Sequence, residues 1–271
     1  MEKHSCLDDS TALRMIALDE VDSTNNFLRN LDTSDDRRMT LVTAEFQTAG
    51  RGSGENHWES AKGENLLFSL RVMPRDLPVR RMFAISEATA LALKDSLTTL
   101  LPLAPCPLPL TPPKGGWGVS IKWPNDIYFG DGKVAGMLIE NDLRGALVRS
   151  SVIGIGINVN QRRFVSDAPN PRSLADIVGH DVDRRSVLER FMERFTHYMK
   201  LIDEGSEAAL DALHEDYKQH LYRRDEKHKY VDEMGTFCAK LVDVEPSGHL
   251  VLQDEAGTRR RYEFKQVKFI L

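Results

Sequence analysis

The stretch 47–58, reading Gln-Thr-Ala-Gly-Arg-Gly-Ser-Gly-Glu-Asn-His-Trp, constrains this chain more than any other. Gly50, Gly52 and Gly54 fall within five consecutive positions, a density that suits neither helix nor strand. It suits a loop whose backbone N–H groups turn toward one point. Such an array of donors is an anion site, and Arg51 adds a forked cation matched to phosphate or carboxylate. Alone, a loop of this kind is more often a surface linker that happens to hold an arginine. The flanks change that reading. An apolar-rich run at 40–46 precedes it, and a strand-like run at 66–72 follows Gly63-Glu64-Asn65. A glycine loop between two paired strands is costly to order, so it reads as a lid over a ligand.

Composition limits what that ligand is. With 271 residues, 41% hydrophobic and 28% charged, the chain can form one large domain or a medium and a small one. A net charge of −5 argues against nucleic acid or an anionic membrane as partner. No apolar run approaches the ~20 residues of a membrane span. The first residues lack an apolar signal region, so a cytoplasmic location is expected. Cys6, Cys106 and Cys238 are far apart and read as reduced thiols. The histidines lack metal-binding spacing, so no metal is expected to be held by protein groups alone; one can enter on a nucleotide.

Taken in order, residues 1–13 read as a polar tail and 15–21 as a first strand. The strand runs into Asp22-Ser23-Thr24-Asn25, whose side chains suit a helix start. The same geometry can bind a polar ligand. Residues 32–38 form a polar loop. Helices are expected at 80–101, 183–204 and 206–221, from apolar spacing. Six of the twelve prolines lie in 102–118, which reads as a stiff insertion in a loop. Strands are expected at 119–129 (interrupted by Pro124), 133–140 and 147–159, with a turn at Gly130-Asp131-Gly132. Gly154-Ile155-Gly156 lacks a third glycine and a following helix, which rules out a dinucleotide fingerprint. The charged stretch 223–229 reads as a boundary. Short strands at 235–243, 249–253, 258–264 and 267–271 suggest a small barrel.

The turn at 131–132 puts Lys133 at the head of the returning strand, and Asn125 and Asp126 just past a proline-forced bend. Asp126 can hold magnesium or an adenine amine; Lys122 and Lys133 can neutralise phosphates and a carboxylate. Gly136 lets a ligand approach the strand backbone. With the Arg51 loop, the set suits activation of a carboxylate by a nucleoside triphosphate.

Ser23-Thr24-Asn25, the 47–58 loop, Lys122-Trp123-Pro124-Asn125-Asp126, Lys133-Val134-Ala135-Gly136 and Gly154-Ile155-Gly156-Ile157-Asn158 together resemble biotin protein ligase. The resemblance covers about residues 15–160, and more weakly Phe264-Lys265-Gln266-Val267. It implies an α+β fold: a mixed-sheet catalytic domain of the class II aminoacyl-tRNA synthetase type over 1–228, and an SH3-like β-barrel over 229–271. It implies a two-step reaction in which biotin and MgATP give biotinyl-5′-AMP, and a lysine of a biotin carboxyl carrier protein then takes the biotinyl group. By matching positions, Ser23, Thr24, Asn25, Gln47 and Gly136 would serve biotin. Arg51, Gly52 and Ser53 would close over it, and Lys133 would hold its carboxyl oxygen. Arg51, Trp58, Lys122, Asn125, Asp126 and Asn158 would serve the nucleotide. Arg51 and Lys133 are the catalytic pair.

Two departures accompany the resemblance. Many family members have arginine where Ser53 stands, so this lid is less basic. The usual glutamate of the barrel motif is Gln266. With the first strand near residue 15, no DNA-binding winged helix is expected, and pairing of two chains through sheet edges is open. A lipoate–protein ligase and a non-catalytic biotin-binding module are the competing readings.

Overall fold

The computed structural model describes residues 13–31, 39–54, 56–101, 118–165 and 170–271. The polar tail, the 32–38 loop and the proline-rich 102–117 segment lie outside them.

Seven strands form a mixed sheet: β1 (Arg14–Val21), β2 (Thr40–Gln47), β3 (Leu66–Val72), β4 (Val119–Lys122), β5 (Asp126–Phe129), β6 (Gly132–Arg144) and β7 (Leu147–Ile157), in the order β1-β2-β3-β7-β6-β5-β4. β1 and β2 are parallel; every other neighbouring pair is antiparallel. One face packs on α2 (Ala84–Thr98), α4 (Arg184–Glu204) and α5 (Glu207–Gln219). Alternation along the strands decides what faces them. Leu66, Phe68 and Leu70 of β3, and Ile153, Ile155 and Ile157 of β7, join Phe191 and Phe195 of α4 in the main core. The opposite face carries α1 (Thr24–Asn30), whose Leu28 packs with Val42 and Val152.

The expected helices form, each with shorter ends. Asp183 and Ser206 cap α4 and α5 by accepting from backbone N–H groups. A short helix, α3 (Leu174–Val178), has no counterpart in the expected pattern; Ser173 and Asp176 close a capping box around its start. Pro124, behind a cis peptide bond, does more than interrupt a strand. The chain reverses there, and β4 pairs antiparallel with β5.

The stretch 223–229, expected as a boundary, holds the start of a strand. Arg223 is buried, and β8 (Lys227–Asp232) already belongs to a second sheet, with β9 (Gly235–Val244), β10 (Leu250–Asp254), β11 (Arg259–Tyr262) and β12 (Lys268–Phe269). That five-stranded sheet is antiparallel, in the order β11-β10-β9-β8-β12. It docks on the β4–β5 turn. Trp123 Nε1 donates to the Gly248 carbonyl at 2.9 Å, and the Trp123 and Phe264 rings meet edge-on at 6.2 Å.

Candidate active site

Period-two alternation builds the site on the sheet face that carries α1. Gly136 of β6 pairs with Gly156 of β7 on one side and with Asp126 of β5 on the other, and Asp126 pairs with Lys122 of β4. The next row sets Ser69, Gly154 and Leu138 side by side. A bulge between β5 and β6 turns both Val134 and Ala135 into the core while Lys133 reaches back to Asp126. The strands thus present a glycine floor with carboxylate and ammonium groups along one border.

Around this floor lies a cleft open to solvent. Of the residues expected from sequence it brings together Ser23, Thr24, Asn25, Gln47, Arg51, Gly52, Ser53, Trp58, Asn125, Asp126, Lys133 and Gly136. Lys122 and Asn158 do not line it. Lys122 lies between the Tyr128 and Phe269 rings, its Nζ 5.4 and 4.9 Å from their centroids. Asn158 is buried and donates to the Lys133 carbonyl at 3.3 Å, so it holds the backbone under Lys133.

At one end of the cleft, Ser23 stands at the N-cap position of α1 but makes no side-chain capping bond. The hydroxyl and amide groups engage elsewhere. Thr24 donates its N–H and hydroxyl to Gln47 Oε1, at 2.8 and 3.1 Å. The Ser69 hydroxyl sits 2.6 Å from both Thr24 Oγ1 and Asn25 Oδ1. Asn25 Nδ2 donates to Glu140 at 3.1 Å and to the Leu138 carbonyl at 3.3 Å. Thr24 and Asn25, both buried, are therefore spent with Ser69 on a positioned network that opens to the cleft, and buried Ser23 lines the cleft beside it.

Glu140 ties this network to the glycine loop. Arg51 donates to both its carboxylate oxygens, at 3.1 and 3.3 Å, and to Asn26 Oδ1 at 3.0 Å; Arg29 adds a bond at 2.8 Å. Burial pushes the Glu140 carboxyl up, but the hydrogen bonds from Asn25 and Arg51 and the charges of Arg51 and Arg29 outweigh it and hold it below the ordinary value. The sequence marked Glu140 only as a strand end, and Ser69 not at all. The signal available was register: both share a face with the glycines.

The loop itself is a small hairpin. Gly52 N–H donates to the Asn56 carbonyl at 2.7 Å and Trp58 N–H to that of Gly50 at 3.0 Å. It carries the Trp58 ring onto the floor, where a Cβ at Gly156 would overlap the indole and one at Gly136 would come within 2.9 Å of it. Trp58 Nε1 is buried there without a hydrogen-bond partner among the described residues. At the other end, Lys133 Nζ lies 2.6 Å from Asp126 and 5.6 Å from the Trp58 ring centre. Asn125 Nδ2 donates to the Met137 carbonyl at 2.7 Å, fixing the turn beside them. Among the described residues no group of three or more His, Cys, Asp or Glu could hold a metal.

One end of the cleft offers neutral donors and acceptors, the other an ammonium and a carboxylate, and a cationic loop spans the two. Known proteins share the sequence pattern and the fold. Residues 17–158 match the biotin/lipoate A/B protein ligase family. Over 257 residues, 92% of this chain and 72% of the relative, the sequence is 28% identical to the bifunctional ligase/repressor BirA of Bacillus spizizenii. Over 152 residues, 56% of this chain and 51% of the relative, it is 31% identical to the biotin–[acetyl-CoA-carboxylase] ligase of Mycobacterium tuberculosis. A biotin protein ligase from Aquifex aeolicus, solved in complex with biotin and ATP, matches with a TM-score of 0.72 at 26% identity, covering 95% of this chain and 99% of that one. The family match takes in every residue that lines the cleft, and the chain belongs to the biotin/lipoate A/B protein ligase family.

Proposed function

We propose that this chain is a biotin–protein ligase. It joins the carboxylate of biotin to the α-phosphate of MgATP, releasing pyrophosphate and forming biotinyl-5′-AMP. It then passes the biotinyl group to a lysine amine of a biotin carboxyl carrier protein, and AMP leaves. The observation that carries the reading is the two-ended cleft: Ser23, Thr24 and Asn25 at one end, and Lys133 beside Asp126 at the other.

A ureido ring needs donors and acceptors in fixed positions, which the Thr24–Ser69–Asn25 network supplies. The carboxylate tail then lies toward Lys133. Two anions repel, and the ammonium there lowers the cost of bringing them together. Asp126 and Asn125 face the nucleotide, with Mg²⁺ arriving as part of that substrate. Lys122 and Asn158 act from behind, on Asp126 and on the Lys133 backbone. The Arg51 loop closes over the mixed anhydride and keeps water from it. Both steps are attacks by substrate groups, so the chain supplies orientation and charge rather than a nucleophile.

The same reading assigns the seven-stranded sheet to the class II aminoacyl-tRNA synthetase type and the five short antiparallel strands to an SH3-like barrel. The division falls near 228. Two chains would pair through a sheet edge; β1, at one end, leaves Met15 64% exposed. The cytoplasm, which supplies ATP and keeps thiols such as the exposed Cys238 reduced, is the compartment that fits.

The test is incubation with MgATP, biotin and an acetyl-CoA carboxylase carrier domain, with the mass of the carrier as readout. A gain of one biotinyl group is expected. Pyrophosphate release with lipoate but not with biotin would overturn the assignment.

A further inference from the structure

Against the glycine loop, outside the residues that line the cleft, rests one cation that no part of the reading has used. Lys265 lies in the turn between β11 and β12, at φ +71°, in the left-handed region that ordinary residues avoid. The turn is clamped twice: Gln266 N–H donates to the Glu263 carbonyl at 3.2 Å, and Glu263 N–H donates to Gln266 Oε1 at 2.7 Å. The carbonyl of Gln266 suffices for that clamp, so glutamine serves here as glutamate would. Backbone held this way carries the Lys265 side chain off its own sheet and onto the glycine loop. Its ammonium rests against Gly54, where a Cβ would collide with it. Among the described residues the ammonium has no ion-pair partner.

Charge accounting gives this placement a purpose. Arg51 is engaged by Glu140 and Asn26, Lys133 by Asp126 at 2.6 Å, and Lys122 lies 3.9 Å from the same carboxylate. A triphosphate brings several negative charges to a border whose cations are already paired. Ser53, the loop residue beside Gly54 that lines the cleft, is uncharged. Phe264, next to Lys265, packs on Trp123 of the turn that carries Asn125 and Asp126, so Lys265 stands on the nucleotide side of the cleft. We infer that Lys265 is a phosphate-binding residue delivered from the C-terminal sheet. Its ammonium, beside the Gly52–Gly54 backbone, takes the outer phosphates of MgATP and then the departing pyrophosphate. The inference rests on the ligase reading for the identity of the nucleotide.

Lys265→Gly separates charge from folding, because glycine adopts a positive φ without cost. Calorimetric titration with MgATP and with pyrophosphate should show binding about tenfold weaker than wild type, the loss of one charge-assisted hydrogen bond. Biotin affinity should be unchanged and the melting temperature equal or higher. Lys265→Arg should restore both affinities. In biotin-dependent pyrophosphate exchange the variant should raise KM for MgATP with little change in kcat. Unchanged MgATP and pyrophosphate binding in Lys265→Gly overturns the inference, and so does a defect confined to KM for the carrier. Titration reads the lysine without turnover, so a wild-type chain that binds MgATP through Lys265 but never transfers biotin would sink the ligase reading and leave this one standing.

Discussion

The carboxamide of Asn25 occupies the space that a side chain at position 154 would fill. A Cβ built on Gly154 comes within 3.0 Å of Asn25 Nδ2 and closer still to its Oδ1. The absence of a side chain on β7 is thus what lets α1 lay its first turn on the sheet and point Asn25 between Ser69 and Glu140. Gly154→Ala should force Asn25 out of this position. Overpacking of this kind costs about 1–3 kcal/mol, because neither strand nor helix can yield without breaking the network. Biotin affinity should fall at least tenfold while MgATP binding is kept. Titration of each ligand checks it, and parallel losses of both would place Asn25 elsewhere than at the biotin end.

Glu140 gives the same network a pH signature. Its carboxyl is held below the ordinary value of 4.5, so the charged form is favoured in the folded protein. The stabilisation it provides is then fully present above the ordinary value. It is lost as pH falls through the depressed one. The stability gap between wild type and Glu140→Gln should be flat from neutral pH down to about 4.5 and close under more acid conditions. Denaturant unfolding at a series of pH values measures it; a gap that persists in acid would mean that the Arg51 and Arg29 contacts contribute nothing. Both arginines are more than a third exposed, so the gap should be small, about 1 kcal/mol or less.

Lys122 runs the other way. Burial lowers the proton affinity of its ammonium, with Asp126 opposing and Lys133 and Arg223 reinforcing. A lysine whose pKa is lowered favours the neutral form in the folded state, so the folded state gains as pH rises toward the ordinary 10.5. Lys122→Met removes a desolvated cation while Asp126 keeps Lys133 as partner. Thermal stability at neutral pH should be unchanged or higher, and its margin over wild type should shrink in alkali. KM for MgATP should rise severalfold, because one of the two cations beside Asp126 is gone. A melting temperature well below wild type would show instead that the lysine is a structural cation.

Much of the site was legible in the sequence because its members are marked by type: glycines in a loop, lysines about a hairpin, a serine-threonine-asparagine run before a helix. Most of these meet in one cleft. Glu140 and Ser69 escaped because their significance lies in register. Nothing in a strand's own sequence says that position 140 will face the same side as Gly136, or that Ser69 will sit opposite Gly154. Lys122 and Asn158 were legible as important residues but not as supporting ones: Lys122 stands beside Asp126, and buried Asn158 holds the Lys133 backbone. The strand β8 was missed for a related reason. Charge at 223–229 argued for a boundary, yet β8 begins within it and Arg223 bonds the Ile270 carbonyl beyond β12.

That arginine carries the last prediction. Arg223 is 6% exposed, donates to the Ile270 carbonyl at 2.9 Å, and lies 3.7 Å from Asp131, which also accepts from the Tyr222 hydroxyl. It therefore pins the chain's C-terminal strand to the β5–β6 turn. Arg223→Met leaves the Ile270 carbonyl without its donor and Asp131 without its cation, at a cost of about 1–2 kcal/mol. Arg224→Met is the matched control, because among the described residues Arg224 pairs with its neighbour Asp225 alone and should cost under about 0.5 kcal/mol. Lys122 packs on Phe269 and Trp123 on Phe264, so loosening the C-terminal sheet should also weaken MgATP binding while sparing biotin. Unfolding and ligand titration of the two variants decide it. Equal stability losses would mean that the buried arginine adds nothing to docking, and a loss of biotin affinity would mean that the two ends of the cleft are not independent.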